Sequence, residues 1–144
     1  GASAIVALDN SGHLALLSQY RHAVGGDLWE IPAGVMHSGE TPIKCAQREL
    51  AEEAGLAARR WDHLGTIVTI PSFCDERIHL YLARELELAV GTRDIDEVIR
   101  VERLTFAEAL RMVRRGEIRD AKTISALYMA RDFLEETGAG VASH

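Results

Sequence analysis

Residues 34–56 read GVMHSGETPIKCAQRELAEEAGL. Thr41-Pro42 is a helix start. Threonine supplies a capping oxygen, and proline suits the first helical position, where its missing N–H costs nothing. The predicted helix runs to about Ala54, and Gly55 is placed to close it. Ile43, Ala46 and Leu50 make one face apolar, so the helix packs against something. The other side carries Arg48, Glu49, Glu52 and Glu53 within two turns. At about 100° per residue, Glu49 and Glu53 fall roughly 40° apart, with Glu52 on the same side. Carboxylates stacked in this way repel by a few tenths of a kcal/mol per i,i+4 pair, and a bound divalent cation reverses that sign. Such an oxygen-rich cluster suits Mg2+ or Mn2+, hard ions that keep waters and bridge to phosphates. The plainer reading is a solvated helix face. Against it stand the loop between Gly34 and Gly39 that leads straight into the helix, and Glu40, which precedes the helix. Arg48, four residues before Glu52, is placed to hold a carboxylate in position.

Outward from this stretch, residues 4–8 and 14–17 are apolar runs separated by Asp9-Asn10-Ser11-Gly12, which reads as a β-hairpin. Residues 28–31 read as a short strand closed by Pro32 and Gly34. Beyond the helix, residues 64–70, the alternation of Ile78, Leu80 and Leu82, and residues 98–104 predict further strands. Thr105 caps a helix to about Arg115, which Gly116 stops. A last helix runs from about Ala121 to Glu136, with Ile124, Leu127, Tyr128, Ala130 and Leu134 along its apolar stripe. Strands, helix, strands and helices make a mixed α/β (α+β) class with helices on a sheet. The 144 residues fit one domain, 1–144. Gly1-Ala2-Ser3 reads as a cloning remnant of no structural weight, and 138–144 as a flexible tail.

Sixteen basic and 22 acidic residues give a net charge of −6, which speaks against a nucleic-acid partner. The two C-terminal helices have a helix-turn-helix outline, and residues 99–122 hold seven basic and four acidic residues. Glu117 and Asp120 flank the supposed turn, however, so the basic strip is expected to cover the sheet, with Arg100 or Lys122 at most steering a substrate. Cys45 and Cys74 are too few for a disulfide framework and fit a reducing, cytoplasmic setting. No apolar run approaches the roughly 20 residues of a membrane helix, and no secretory signal opens the chain. His22, His37 and His79 lack the spacing with cysteines that zinc requires.

Gly34, Glu40, Arg48-Glu49-Leu50, Glu52-Glu53 and Gly55-Leu56 occupy nine fixed positions across 23 residues. Their spacing resembles the Nudix box in full. The resemblance implies the Nudix fold, a mixed sheet sandwiched between helices, and Mg2+-dependent hydrolysis (Mn2+ as a substitute) of a nucleoside diphosphate linked to another group. It implies that Glu49 and Glu53 are metal ligands, that Glu52 is a ligand or a base, and that Arg48 and Glu40 orient them. The carbonyl of Ala33 is implied as a further ligand. Gln19-Tyr20-Arg21, residues 29–34, residues 71–76 and residues 116–123 resemble the ADP-ribose pyrophosphatase branch. In that branch a late-loop glutamate often serves as base, which points to Glu97 with Asp96 behind it. Arg21 and Glu30 are the candidate substrate contacts, a guanidinium fork suiting phosphate oxygens. The products expected from ADP-ribose are AMP and ribose 5-phosphate, and a homodimer is expected. Relatives of this branch usually carry several dozen residues ahead of the first hairpin, which help form a swapped dimer and contact adenine. The sequence as given opens at that hairpin, so the dimer mode and adenine contacts stay open. The alternatives are another nucleotide substrate (a dinucleoside polyphosphate or an oxidised nucleotide) or a non-hydrolysing sensor of such ligands.

Overall fold

The computed structural model describes residues 1–90 and 100–138. Asp96 and Glu97, together with Val98 and Ile99 of the expected last strand, lie outside the described residues, as does the tail beyond Gly138. The order of elements is β1 (Ala2–Ala7), β2 (His13–Arg21), β3 (Gly26–Glu30), β4 (Ala33–Val35), α1 (Pro42–Ala54), β5 (Leu56–Val68), β6 (Arg77–Leu88), β7 (Arg100–Thr105), α2 (Phe106–Arg114) and α3 (Ala121–Glu136). Four strands form one sheet in the order β4-β1-β6-β5, and three form another in the order β3-β2-β7. β1 runs parallel to β6 and, among the described residues, the other strand pairings are antiparallel, so the larger sheet is mixed.

The hairpin expected between the first two strands does not form. Leu8 and Leu14 share one isolated bridge, after which β1 and β2 part into different sheets. The turn chemistry of residues 9–12 reverses the chain as expected, but it does not dictate which edge each strand pairs with. The composition of β1 explains its place. ASAIVA is buried at all six positions, and a strand with no polar face belongs between two packed layers. Ala4 and Val6 face a core shared with Leu80, Leu82, Phe106, Leu127 and Leu134. Ile5 and Ala7 face a second core with Ala46, Leu50, Tyr81 and Ala83. The larger sheet therefore lies between α1 on one side and α2 and α3 on the other. Ala2 and Ser3, given no weight from sequence, are buried strand residues paired with Ile78 and His79.

α1 has its expected bounds. The Thr41 side chain accepts from the Lys44 N–H, and Gly55 takes the left-handed conformation at φ 68°, each contact satisfying groups that the helix ends leave unpaired. α2 and α3 also begin on capping side chains, Thr105 and Asp120. Tyr128, expected on the apolar stripe of α3, is only partly buried and carries Arg131 over its ring at 4.8 Å. Among the described residues no helix is long and apolar enough to cross a membrane.

Candidate metal and substrate site

β4, a three-residue strand absent from the sequence expectation, runs along β1 and brings Ala33 and Gly34 against α1. Ser3 Oγ donates to the Pro42 carbonyl at 2.8 Å, and Cys45 Sγ to the Gly34 carbonyl at 3.4 Å, so the helix start and the strand are tied on the same side. Gly34 is required by space. A Cβ there would lie 2.1 Å from the Glu49 carboxyl carbon and from Oε1. The absence of a side chain lets a carboxylate lie against the main chain.

The four charged residues of α1 separate into two groups. Glu49 and Glu53 are buried, whereas the Glu52 side chain is 56% exposed. Arg48 organises the rim. Its Nε and Nη2 grip Glu40 at 2.8 and 3.0 Å, its Nη1 reaches Glu49 at 2.7 Å and Glu52 at 3.1 Å, and Nη2 also donates to the Val35 carbonyl at 3.0 Å. The three carboxylates expected on one face divide by burial, Glu49 and Glu53 inside and Glu52 at the rim, where Arg48 Nη1 bridges it to Glu49. Among the described residues no three His, Cys, Asp or Glu side chains converge as a ligand cage.

Both Glu53 oxygens are held. Gln19 Nε2, on β2, donates to Oε2 at 2.8 Å, and the Ala33 N–H donates to Oε1 at 3.2 Å. Burial, and after it the hydrogen bond to and charge of Glu49, push the Glu53 carboxyl well above the usual carboxylate range. Two buried carboxylates side by side, Glu53 fixed by a main-chain and an amide donor, fit a hard divalent cation, which would supply the missing positive charge. The donors that this structure brings together are Glu49 and Glu53, with the Ala33 main chain bonded to Glu53. Gln19 was missed as a site residue, because a lone glutamine in a strand gives no signal 34 positions from its partner.

Glu40 answers the same charge problem with an arginine. The Arg48 guanidinium, helped by the His37 N–H, holds the Glu40 carboxyl at about 2, below its ordinary 4.5. A lowered folded pKa contributes stability that is complete above the unfolded value and is lost as pH falls toward the folded one. The loss belongs between pH 4.5 and about 2. The Glu40→Gln variant is expected to show a shallower decline of Tm across that window than the wild type. Parallel declines would show that this pair contributes nothing to acid stability.

The two candidate substrate contacts meet each other. Arg21 Nε and Nη2 grip Glu30 at 2.7 and 3.0 Å, and Lys122 Nζ, from α3, lies 2.5 Å from Glu30 Oε1. Burial alone would raise the Glu30 carboxyl, but the hydrogen bonds from Arg21 and Lys122 outweigh it and hold the group below its usual range. Glu30 is 2% exposed and has no open side toward a ligand. Arg21 is half exposed, with Nη1 outside the pair. Lys122 is bonded into this network and is not the open steering charge that the sequence allowed.

A sequence profile of the NUDIX domain matches residues 1–127. The ADP-ribose pyrophosphatase of Mycobacterium tuberculosis is 41% identical over 131 residues, covering 88% of this chain and 63% of that protein. The ADP-ribose pyrophosphatase of Bacillus subtilis is 36% identical over 129 residues, covering 88% and 70%. The chain thus spans about two thirds of the length of these curated relatives. A crystal structure of an ADP compounds hydrolase superposes with a TM-score of 0.84 over 96% of this chain and 75% of that one, at 23% identity. That likeness is one of fold.

Proposed function

Because the chain belongs to the Nudix family, we propose that it is a Mg2+-dependent pyrophosphohydrolase that cleaves ADP-ribose to AMP and ribose 5-phosphate. The observation that carries this reading is the buried Glu49–Glu53 pair seated on Gly34. The names of the two bacterial relatives supply the substrate class. In this reading Glu49, Glu53 and the Ala33 carbonyl hold the metal, with Mn2+ an acceptable substitute. When bound, such an ion offsets pyrophosphate charge and lowers the pKa of a coordinated water.

The protein's own groups do the rest. Arg48 keeps Glu49 in place while leaving Glu52 on the exposed rim, within reach of solvent. Glu52 or Glu97 takes the proton from the attacking water, whose oxygen adds to one phosphorus as the bridging oxygen leaves with the other phosphate. Glu30 fixes the direction of Arg21, so that its outer N–H groups meet a phosphate oxygen without an ordering cost at binding. The partner is a small nucleoside diphosphate derivative, and the homodimer and cytoplasmic setting expected from the sequence belong to the same reading.

The test is incubation of the purified protein with ADP-ribose and Mg2+, with and without EDTA, following AMP. AMP release that EDTA abolishes is the expected result. Cleavage of a different nucleotide in preference to ADP-ribose would move the substrate. Binding without cleavage of any pyrophosphate would overturn the enzymatic reading.

A further inference from the structure

We propose that the first turn of α3 is a positioning device for the metal-holding segment. In it Asp120 orients the Thr123 hydroxyl, and that hydroxyl fixes Ile31, and with it Ala33 and Gly34, against Glu53 and Glu49. The inference rests on Glu49 and Glu53 being the metal pair.

β4 is held by its pairing with β1, but the link that leads into it, Ile31-Pro32, belongs to no strand. β3 ends at Glu30, so the Ile31 N–H lies past the last strand residue. It is buried, and a buried N–H must find a partner. Thr123 Oγ1 provides it at 3.1 Å, from 92 positions away in sequence and from a residue with no exposure. Pro32 has no N–H to offer, and its carbonyl accepts from the Ile5 N–H of β1 at 2.9 Å. Ala33 is next, and its N–H is the one that meets Glu53 at 3.2 Å. Three consecutive residues are thus anchored to α3, to β1 and to α1 in turn. The α3 anchor rests on the orientation of a single hydroxyl.

A hydroxyl has one hydrogen and rotates to suit its surroundings. At Thr123 that freedom is removed. The hydroxyl donates to Asp120 Oδ2 at 2.6 Å, which directs a lone pair at Ile31. The same Asp120 oxygen accepts from the Thr123 N–H at 3.2 Å and pairs with Lys122 at 3.0 Å. Lys122 in turn holds Glu30, the residue before Ile31. Asp120, Lys122 and Thr123 therefore grip two adjacent residues, one through its side chain and one through its backbone, immediately ahead of Ala33 and Gly34. This gives a role to the stretch 116–123, which the sequence resemblance singled out but left without one.

The experiment compares wild type with Thr123→Val, which keeps the shape and removes the hydroxyl, and with Thr123→Ser, which restores it. Mn2+ binding is measured directly by water-proton relaxation, and kcat and KM are measured on ADP-ribose at saturating Mg2+. The valine variant is expected to bind Mn2+ about tenfold more weakly, as outer-shell losses do, and to lose kcat with KM little changed. The serine variant should return to within about threefold of wild type, the hydroxyl being the group that matters. Where Thr123→Val does not fold, Asp120→Ala, which frees the hydroxyl to rotate, is expected to weaken Mn2+ in the same direction. A folded valine variant with a lowered Tm but unchanged Mn2+ affinity and kcat would overturn the inference and leave the metal pair standing. A wild type that binds no Mn2+ would remove the metal pair, and this inference with it.

Discussion

Glu53→Gln is expected to lower kcat by roughly 10³-fold or more while the fold survives. A divalent cation supplies several kcal/mol of transition-state stabilisation, and each 1.36 kcal/mol is a factor of about ten in rate. The loss should be large because, among the described residues, Glu53 shares its buried position with a single other carboxylate, Glu49. The stability cost should be small. An amide offers one acceptor where Gln19 and the Ala33 N–H now find two oxygens, so one donor is left poorly met, at about 1 kcal/mol. Relief of the Glu49–Glu53 repulsion works in the opposite direction. Steady-state turnover with Mg2+ and a thermal melt check both halves. Near-normal turnover in a folded variant would remove Glu53 from the ligand set.

Gly34→Ala is the second large effect, and its cause is steric. The added Cβ would meet Glu49 at 2.1 Å, and Glu49 is not a free tip that can swing away. Arg48 holds it at 2.7 Å, and the residue is buried. Either the strand or the carboxylate must shift by about an ångström. Displacements of that size cost on the order of 10²-fold in rate, and kcat/KM should fall by at least that much. Gly39→Ala is the control. Gly39 sits at φ 77°, and a methyl added there would meet nothing within 4 Å. Alanine at that position should cost about 1 kcal/mol of backbone strain and little activity. Equal kcat/KM in the two variants would mean that the seat beneath Glu49 is not what the reaction needs.

What the sequence revealed and what it hid divide along local and distant lines. The helix bounds at Thr41, Pro42 and Gly55 were legible because capping acts within a few residues. The contact of Glu49 with Glu53 followed from helical spacing alone. The exposure of Glu52 did not, since its angle on the helix permits the same side and the spacing does not show which carboxylates the sheet covers. A turn between apolar runs specifies a reversal and carries no information about sheets, which is why the first two strands read as a hairpin. The unbroken apolar run of residues 4–8, most of it in β1, was the available sign that the strand lies inside. Gln19 and Thr123 could not be found in this way, since their partners are 34 and 92 positions off. Arg21 and Glu30 stand out separately in the sequence, and only the fold shows them as one pair.

The place of β1 also sets an order in time. It lies between β4 and β6, and its register with β6 joins residue 2 to residue 78. Long-separation pairings of this kind form late and slow folding. At about 5–20 residues per second of synthesis, the roughly 75 intervening residues leave this strand without its central neighbour for about 4–15 s. Throughout that interval an apolar strand with its β6 edge open is exposed in the nascent chain, the feature that invites misassociation. The yield of active protein in a cell should therefore respond to substitutions in β6 that slow its docking, even when the finished molecule is as stable as before.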